Sequence, residues 1–190
     1  MATRLVCTAP GQLAWQEIAL PPLGPTQVRI RAEHAAAKHG TEMAFFKGYA
    51  AARGRYNQEL QLFEKVDDPQ TLYPFAVGNM IVGVVEEAGA AVSRLAVGDR
   101  VCVYSGFSDE VIREERRCWP MPAGMPWQTA VCLDPTEFAL GAVRDGHVRL
   151  GDNVALFGLG AIGLVVLQLL KLAGASQIIA SEAVARSAPD

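Results

Sequence analysis

The sequence that decides the fold reads Val154-Ala155-Leu156-Phe157-Gly158-Leu159-Gly160-Ala161-Ile162-Gly163. A turn that binds phosphate needs glycine where the bend takes a positive φ, where backbone amides approach the anion, and where the helix packs on the strand. Gly158, Gly160 and Gly163 occupy these places. The apolar residues 154–157 therefore predict a buried parallel strand, and residues 164–172 predict a helix whose N-terminal amides favour an anion.

A second apolar segment, residues 177–181, follows Gly174 and ends at Glu182. Gly174 is typical of a helix C-terminus, so the whole stretch predicts a βαβ dinucleotide-binding unit. A carboxylate at Glu182 can accept both hydroxyls of an adenosine ribose and repels the additional phosphate of NADP, which favours NAD. NADP stays open because Arg186 is close enough to meet a 2′-phosphate, and a glycine-rich loop without any ligand is the other alternative. The predicted cofactor contacts are Gly158, Leu159, Gly160, Ala161, Ile162, Gly163 and Glu182.

Length and composition limit the class of protein. A chain of 190 residues suits one domain, or one domain and part of another. Apolar residues make up 51% of it, so part of the surface is expected to be covered by a partner, as in a homo-oligomer. A formal charge of −3 with thinly spread basic residues argues against nucleic-acid binding. No signal peptide or membrane span is recognisable, which predicts a cytoplasmic protein.

The four cysteines lie far apart and form no Cys-x-x-Cys pair, so free thiols are predicted rather than a disulfide framework or a zinc ribbon. They are Cys7, Cys102, Cys118 and Cys132.

Short apolar segments separated by glycine and proline dominate the first 130 residues, and they predict a compact β-barrel or sandwich. From Trp127 apolar residues recur at helical spacing, and the change to a new strand indicates a seam near residue 150. Residues 49–73 are predicted to be a surface excursion with one short helical turn over Leu60, Phe63 and Val66. The predicted strands are residues 5–8, 13–18, 28–32, 81–87 and 100–104.

Five motifs in this order resemble the medium-chain dehydrogenase/reductase superfamily, the relatives of alcohol and threonine dehydrogenases. They are Gly40-Thr41-Glu42, the run from Val77 to Val85, Val97-Gly98-Asp99-Arg100-Val101, Asp134-Pro135 and the turn at Gly158.

The resemblance implies a mixed α/β protein, with a GroES-like β-barrel catalytic domain followed by the beginning of a Rossmann domain. The expected bounds are 1–127 for the catalytic domain, 128–150 for a linker helix region and 151–190 for the partial Rossmann domain. Members pass a hydride between a nicotinamide and a small alcohol or carbonyl compound, and dimers or tetramers are usual. The chain stops inside the Rossmann domain, either as part of an ordinary dehydrogenase or as a short form that pairs with another copy.

In zinc-dependent members the resemblance places a metal ligand at each of three motifs. The matching positions here hold His39, Asn79 with Met80, and Asp134. Amide and thioether groups are poor ligands for catalytic zinc, so no zinc is expected, although His39 and Asp134 could still ligate a metal.

Without a metal, a hydrogen-bond donor must polarise the carbonyl oxygen. Thr41 matches the relay hydroxyl of the superfamily, and Lys38 or His39 beside it could act as acid or carry charge, a pattern similar to the zinc-free branch. Alternatively, Thr41 and Glu42 are a helix-capping pair. The predicted function is an NAD(P)-dependent oxidoreductase, and the alternative is a catalytically inactive dinucleotide-binding or interaction module.

Overall fold

A computed structural model of the chain describes residues 1–49, 55–64 and 73–182. The chain divides into two compact units, Met1–Val131 and Cys132–Asp190. None of the helices in the described ranges is long and apolar enough to cross a membrane.

The described residues of the first unit are mostly antiparallel sheet, with the short helices α1 (His39–Phe46) and α2 (Trp127–Ala130). Its strands are β1 (Ala2–Ala9), β2 (Gln12–Ile18), β3 (Gln27–Ala36), β4 (Arg55–Asn57), β5 (Leu62–Glu64), β6 (Phe75–Ala76), β7 (Met80–Ala88), β8 (Arg100–Tyr104), β9 (Glu110–Glu114) and β10 (Cys118–Pro120).

A five-stranded sheet in the order β10-β8-β7-β3-β9 forms the body of this unit, beside a sheet β2-β1-β6 and the hairpin β4-β5. The two edge strands β9 and β10 are joined only by a 3₁₀ turn, Glu115–Arg117. In a flat sheet these edges would lie about 19 Å apart. The four residue steps from Glu114 to Cys118 span at most about 14 Å. The sheet must therefore curl into a barrel, and the Cys118 thiol does lie 3.4 Å from the Glu114 carbonyl oxygen.

Arg113 also links the two sides of the curled sheet. Its guanidinium donates to the Tyr104 carbonyl oxygen at 3.1 Å and to the Ser105 hydroxyl at 2.7 Å, so β9 is tied to the end of β8. Burial lowers the pKa of this guanidinium. The barrel interior is apolar and contains Val28, Ile30, Ile81, Val85, Leu95, Val101, Val103, Val111 and Cys118.

All five strands predicted in this unit are confirmed, with bounds that extend by up to four residues. β9 and β10 were not predicted, because β9 carries three charged residues and β10 ends in proline. The helical turn predicted over Leu60 and Phe63 is wrong, since β5 covers Leu62–Glu64. The Asn57 amide oxygen accepts the N–H groups of Glu59 and Leu60, which turns the chain into a hairpin. Val66 lies outside the described residues.

The second unit contains α3 (Leu133–Asp145), β11 (Asn153–Phe157), α4 (Ala161–Leu172) and β12 (Gln177–Ser181). β11 and β12 pair in parallel, which confirms the predicted βαβ unit. Gly174 has a φ of +83° directly after α4, as a residue at a helix C-terminus should. The core of this unit is formed by Ala139, Val166 and Leu170.

The helical region that begins at Trp127 is interrupted, because α2 ends at Ala130 and α3 begins at Leu133. Pro135 explains the interruption: it has no N–H to donate to the carbonyl group four residues earlier. Proline is tolerated in the first turn of a helix, and Pro135 lies in the first turn of α3. The domain bounds given above stay a prediction.

Candidate functional site

The glycine-rich turn of the second unit lies where both parallel strands end. Gly158 follows β11 with a φ of +92°, in the region that favours glycine. Its N–H donates to the carbonyl oxygen of Ser181 at 2.8 Å. A Cβ atom at Gly163 would overlap the Gly158 carbonyl oxygen, so α4 can approach the turn only with glycine at this position.

The N-terminus of α4 follows this turn directly. Gly160 is its N-cap in extended conformation, and the first helical hydrogen bond runs from the Leu164 N–H to the Gly160 carbonyl oxygen. The N–H groups of Ala161, Ile162 and Gly163 precede that bond and point out of the helix end. Backbone amides and the helix dipole at such an end favour a phosphate group.

Glu182 lies immediately after β12, and its carboxylate contacts the turn. Its Oε2 atom accepts the N–H of Leu159 at 2.6 Å. The structure therefore brings Glu182 to the glycine turn, although the two are distant in sequence. A carboxylate here places a negative charge beside the amides of the turn, where a ribose diol could donate to it and an additional phosphate would be repelled.

The proposed catalytic residues lie in the first turn of α1, in the first unit. Lys38 is the N-cap, His39 begins the helix and Thr41 is exposed in its first turn. The side chain of His39 lies outside the described part of the structure. The three residues are thus gathered at one helix end, and their catalytic roles stay a prediction.

Glu42, the next residue of α1, makes a contact that sequence reasoning missed. Its Oε1 atom accepts the N–H of Gly78 at 2.8 Å. Burial raises the pKa of the Glu42 carboxyl, while hydrogen bonds from the N–H groups of Gly78 and Lys38 act in the opposite direction. Glu42 therefore holds a separate turn of the chain, and its role as a helix cap stays a prediction. The only sequence signal for this turn was the glycine at position 78.

The turn at Gly78 is tightly enclosed. Gly78 has a φ of +110°, and a Cβ atom there would clash with the backbone of Phe107. The N–H of Asn79 donates to Ala36 at 3.0 Å, and the Asn79 carbonyl oxygen accepts the N–H of Ser105 at 3.0 Å. This turn leads straight into β7.

The donor set at the positions of the zinc ligands does not fit a catalytic zinc ion. Met80 is only 1% exposed and lies in β7, and Asn79 offers an amide rather than an imidazole or thiolate. Asp134 is buried in α3. Among the described residues, no group of three or more His, Cys, Asp or Glu side chains could hold a metal ion. Zinc prefers nitrogen, sulfur and carboxylate ligands in a tetrahedral array, so no chemical step is assigned to it.

Comparison with known proteins shows which family the chain resembles. A family model described as the alcohol dehydrogenase GroES-like domain matches residues 24–146. D-guloside 3-dehydrogenase of Escherichia coli (strain K12) is 40% identical over 190 residues, which cover 96% of this chain and 54% of that enzyme.

Solved structures with the same fold include 2R,3R-butanediol dehydrogenase of Bacillus subtilis, with a TM-score of 0.74 and 21% identity. The similarity covers 99% of this chain and 65% of that structure. A candidate zinc-binding dehydrogenase of Sinorhizobium meliloti bound to NADP has a TM-score of 0.73 and 22% identity, over 97% of this chain and 57% of the other. The chain spans about half the length of this guloside dehydrogenase, 54%.

Proposed function

We propose that this chain, a member of the alcohol dehydrogenase family with a GroES-like domain, acts as an NAD(P)-dependent oxidoreductase. This family belongs to the medium-chain dehydrogenase/reductase superfamily. The substrate of this chain would be a small alcohol or carbonyl compound. The relatives named for a guloside and for butanediol support a hydroxylated substrate. The observation that carries the proposal is the glycine turn at the N-terminus of α4, with Glu182 beside it.

The dinucleotide would be held by the second unit. The N–H groups at the start of α4 would bind the pyrophosphate, and Gly163 lets the helix lie close to the turn. Glu182 would accept the two hydroxyls of the adenosine ribose, which favours NAD over NADP. When bound, the nicotinamide ring supplies or accepts the hydride.

The proton would be handled by the first turn of α1. In the direction of reduction, the Thr41 hydroxyl donates to the substrate carbonyl oxygen and delivers the proton that completes the alcohol. Lys38 or His39, its neighbours in sequence, would act as an acid that restores this proton or would carry the charge. In this proposal the hydrogen-bond donors replace a catalytic zinc ion, which agrees with the donor set at Asn79 and Met80.

The proposal includes a cytoplasmic location and a homo-oligomer. None of the four cysteines forms a disulfide bond, as is usual in a reducing compartment. In the second unit Phe157 and Leu172 are each 82% exposed and Ile179 is 62% exposed, and such apolar groups favour association. Light scattering of the purified chain tests whether it forms a homo-oligomer.

Titration of the chain with NADH and NADPH, with metal analysis of the same sample, tests the function. We expect saturable binding of both dinucleotides, with a lower Kd for NADH than for NADPH. Turnover of an alcohol or carbonyl compound should persist when a metal chelator is added. Absence of binding at millimolar dinucleotide would contradict the proposal, and stoichiometric zinc would contradict its metal-free part. Binding without any turnover would favour the inactive dinucleotide-binding module.

A further inference from the structure

Glu42 connects the helix that carries Thr41 with a turn 36 residues later in the chain. We infer that Glu42 is a positioning residue, whose carboxylate fixes the first turn of α1 against Gly78 and thereby holds the Thr41 hydroxyl in place for the reaction. This inference rests on the proposed function, and it assigns Glu42 no contact with the substrate or the dinucleotide.

The contact is short and partly protected from water. The Glu42 Oε1 atom lies 2.8 Å from the Gly78 nitrogen, and the side chain is half-buried. The backbone N–H of Lys38, the residue at the N-cap of α1, also lowers the pKa of this carboxyl. The Glu42 side chain therefore joins the first turn of α1 to the turn at Gly78.

The turn at Gly78 is a rigid anchor for this carboxylate. Hydrogen bonds hold it on both sides of Gly78: the Val77 carbonyl oxygen accepts the Phe107 N–H at 2.6 Å, and the Asn79 N–H donates to Ala36 at 3.0 Å. Glycine is required at position 78 because its φ is +110° and the backbone of Phe107 leaves no room for a Cβ atom. Because the turn at Gly78 is held from several directions, it does not move with α1. A hydrogen bond to this turn therefore restrains the helix.

The other end of α1 is held by contacts of its own, so the Glu42 contact acts on the first turn. The Tyr73 hydroxyl donates to the Phe45 carbonyl oxygen at 2.6 Å, and the Gly11 N–H donates to Phe46 at 2.6 Å. The Phe45 ring also packs 5.3 Å from the ring of Phe75. An isolated helix of eight residues is marginal in water, so the direction of α1 depends on these ties.

The test compares Glu42→Ala with Glu42→Gln, which keeps a carbonyl oxygen at Oε1. Amide exchange of Gly78, measured by NMR on the intact chain, should be at least tenfold faster in Glu42→Ala. In Glu42→Gln it should stay near the original rate. The amide of Val85, which donates to Asp99 within the same barrel, is the internal reference and should not change.

Kinetics on the same variants address positioning. We expect kcat to fall by about 10-fold to 100-fold in Glu42→Ala, since small displacements of a reacting group have effects of this size. The Kd for NADH should be unchanged, because the dinucleotide site lies in the other unit, and Glu42→Gln should restore kcat. Glu87→Ala is the matched control: it removes an exposed carboxylate that pairs with Arg29 at 2.9 Å.

An unchanged Gly78 exchange rate or an unchanged kcat in Glu42→Ala would overturn the inference, as would failure of Glu42→Gln to restore kcat. If Glu42→Ala does not fold, Glu42→Asp decides in its place, because a carboxylate one methylene shorter should also raise the exchange and lower kcat. Wild-type values in Glu42→Asp would then overturn the inference. If the unmodified chain shows no turnover, the proposed function is contradicted. If it shows turnover and substitutions at residue 42 leave kcat unchanged, only the positioning role of Glu42 is contradicted.

Discussion

The carboxylate of Glu182 lies 2.6 Å from the backbone nitrogen of Leu159, so the end of the second parallel strand is hydrogen-bonded to the glycine turn that follows the first. This contact fixes the acidic group before any ligand arrives. It also occupies one amide of the turn, and the amides at the start of α4 are the ones left for the proposed pyrophosphate contact.

Glu182→Ala should weaken NADH binding by about 10-fold to 100-fold, since hydrogen bonds to a charged group contribute about 1.5 to 3 kcal/mol. Binding of NADPH should weaken less or improve, because a repulsive charge is removed. Fluorescence titration with both dinucleotides measures the two changes. Equal losses of NADH and NADPH binding would show that Glu182 does not contact the ribose. Glu137→Ala, which removes an exposed carboxylate from α3, is a suitable control.

Thr41→Ala should lower kcat by about 100-fold, the usual contribution of a proton-transferring group. The Kd for the dinucleotide should not change. Thr41→Ser retains the hydroxyl and should keep most of the turnover. Steady-state kinetics with a binding titration separate the two effects, and unaltered turnover in Thr41→Ala would leave Thr41 with a structural role only.

Gly163→Ala should lower the free energy of unfolding by about 1 to 3 kcal/mol, because the added methyl group overlaps the Gly158 carbonyl oxygen. Binding of NADH should be lost with it. Gly141→Ala is the matched control, since nothing lies within 4 Å of a Cβ atom there and it is inside α3. That variant should gain about 0.5 to 1 kcal/mol. Urea denaturation measures both, and equal changes in the two variants would contradict the overlap.

Glu115 should make the stability of the barrel depend on pH. Its Oε1 atom accepts the successive N–H groups of Ser93, Arg94 and Leu95, and these hydrogen bonds, that of Arg94 above all, hold the pKa of the carboxyl below its ordinary value. A group whose pKa is lower in the folded state stabilises that state above its unfolded pKa, and loses the effect as pH falls through the folded pKa.

Glu115→Gln should therefore be less stable than the original chain at neutral pH, and the difference in Tm should disappear at strongly acidic pH. Thermal unfolding followed over a pH series measures this. A Tm difference that stays constant across the series would show that the charge of Glu115 is not involved.

The second unit was predicted closely from sequence, because its signals are local. The glycines of the turn, the apolar strands and Gly174 specify each element within a few residues of itself. The contacts that organise the first unit are long-range. Glu42 meets Gly78, and Arg113 meets Tyr104 and Ser105, only after the sheet has curled, and nothing near these residues in sequence indicates their partners.

The prediction about zinc likewise depends on a local signal and on long-range contacts. Residue types at the ligand positions could be read directly, and the prediction of no catalytic zinc rests on them. The burial of Met80 inside β7 could not be read, since it depends on how β3 and β8 flank that strand.

The three-residue turn between β9 and β10 has a consequence for how the barrel forms. The strands that meet at the seam are the two edges of the sheet, yet they are neighbours along the chain. Closing a loop this short costs little chain entropy compared with the long-range pairing of β3 with β7. The seam can therefore form early, as a local hairpin-like unit, and the slower step is the docking of β9 on β3 and of β10 on β8. An insertion within this turn would uncouple the two dockings, whereas one of the same length in an outer loop would not.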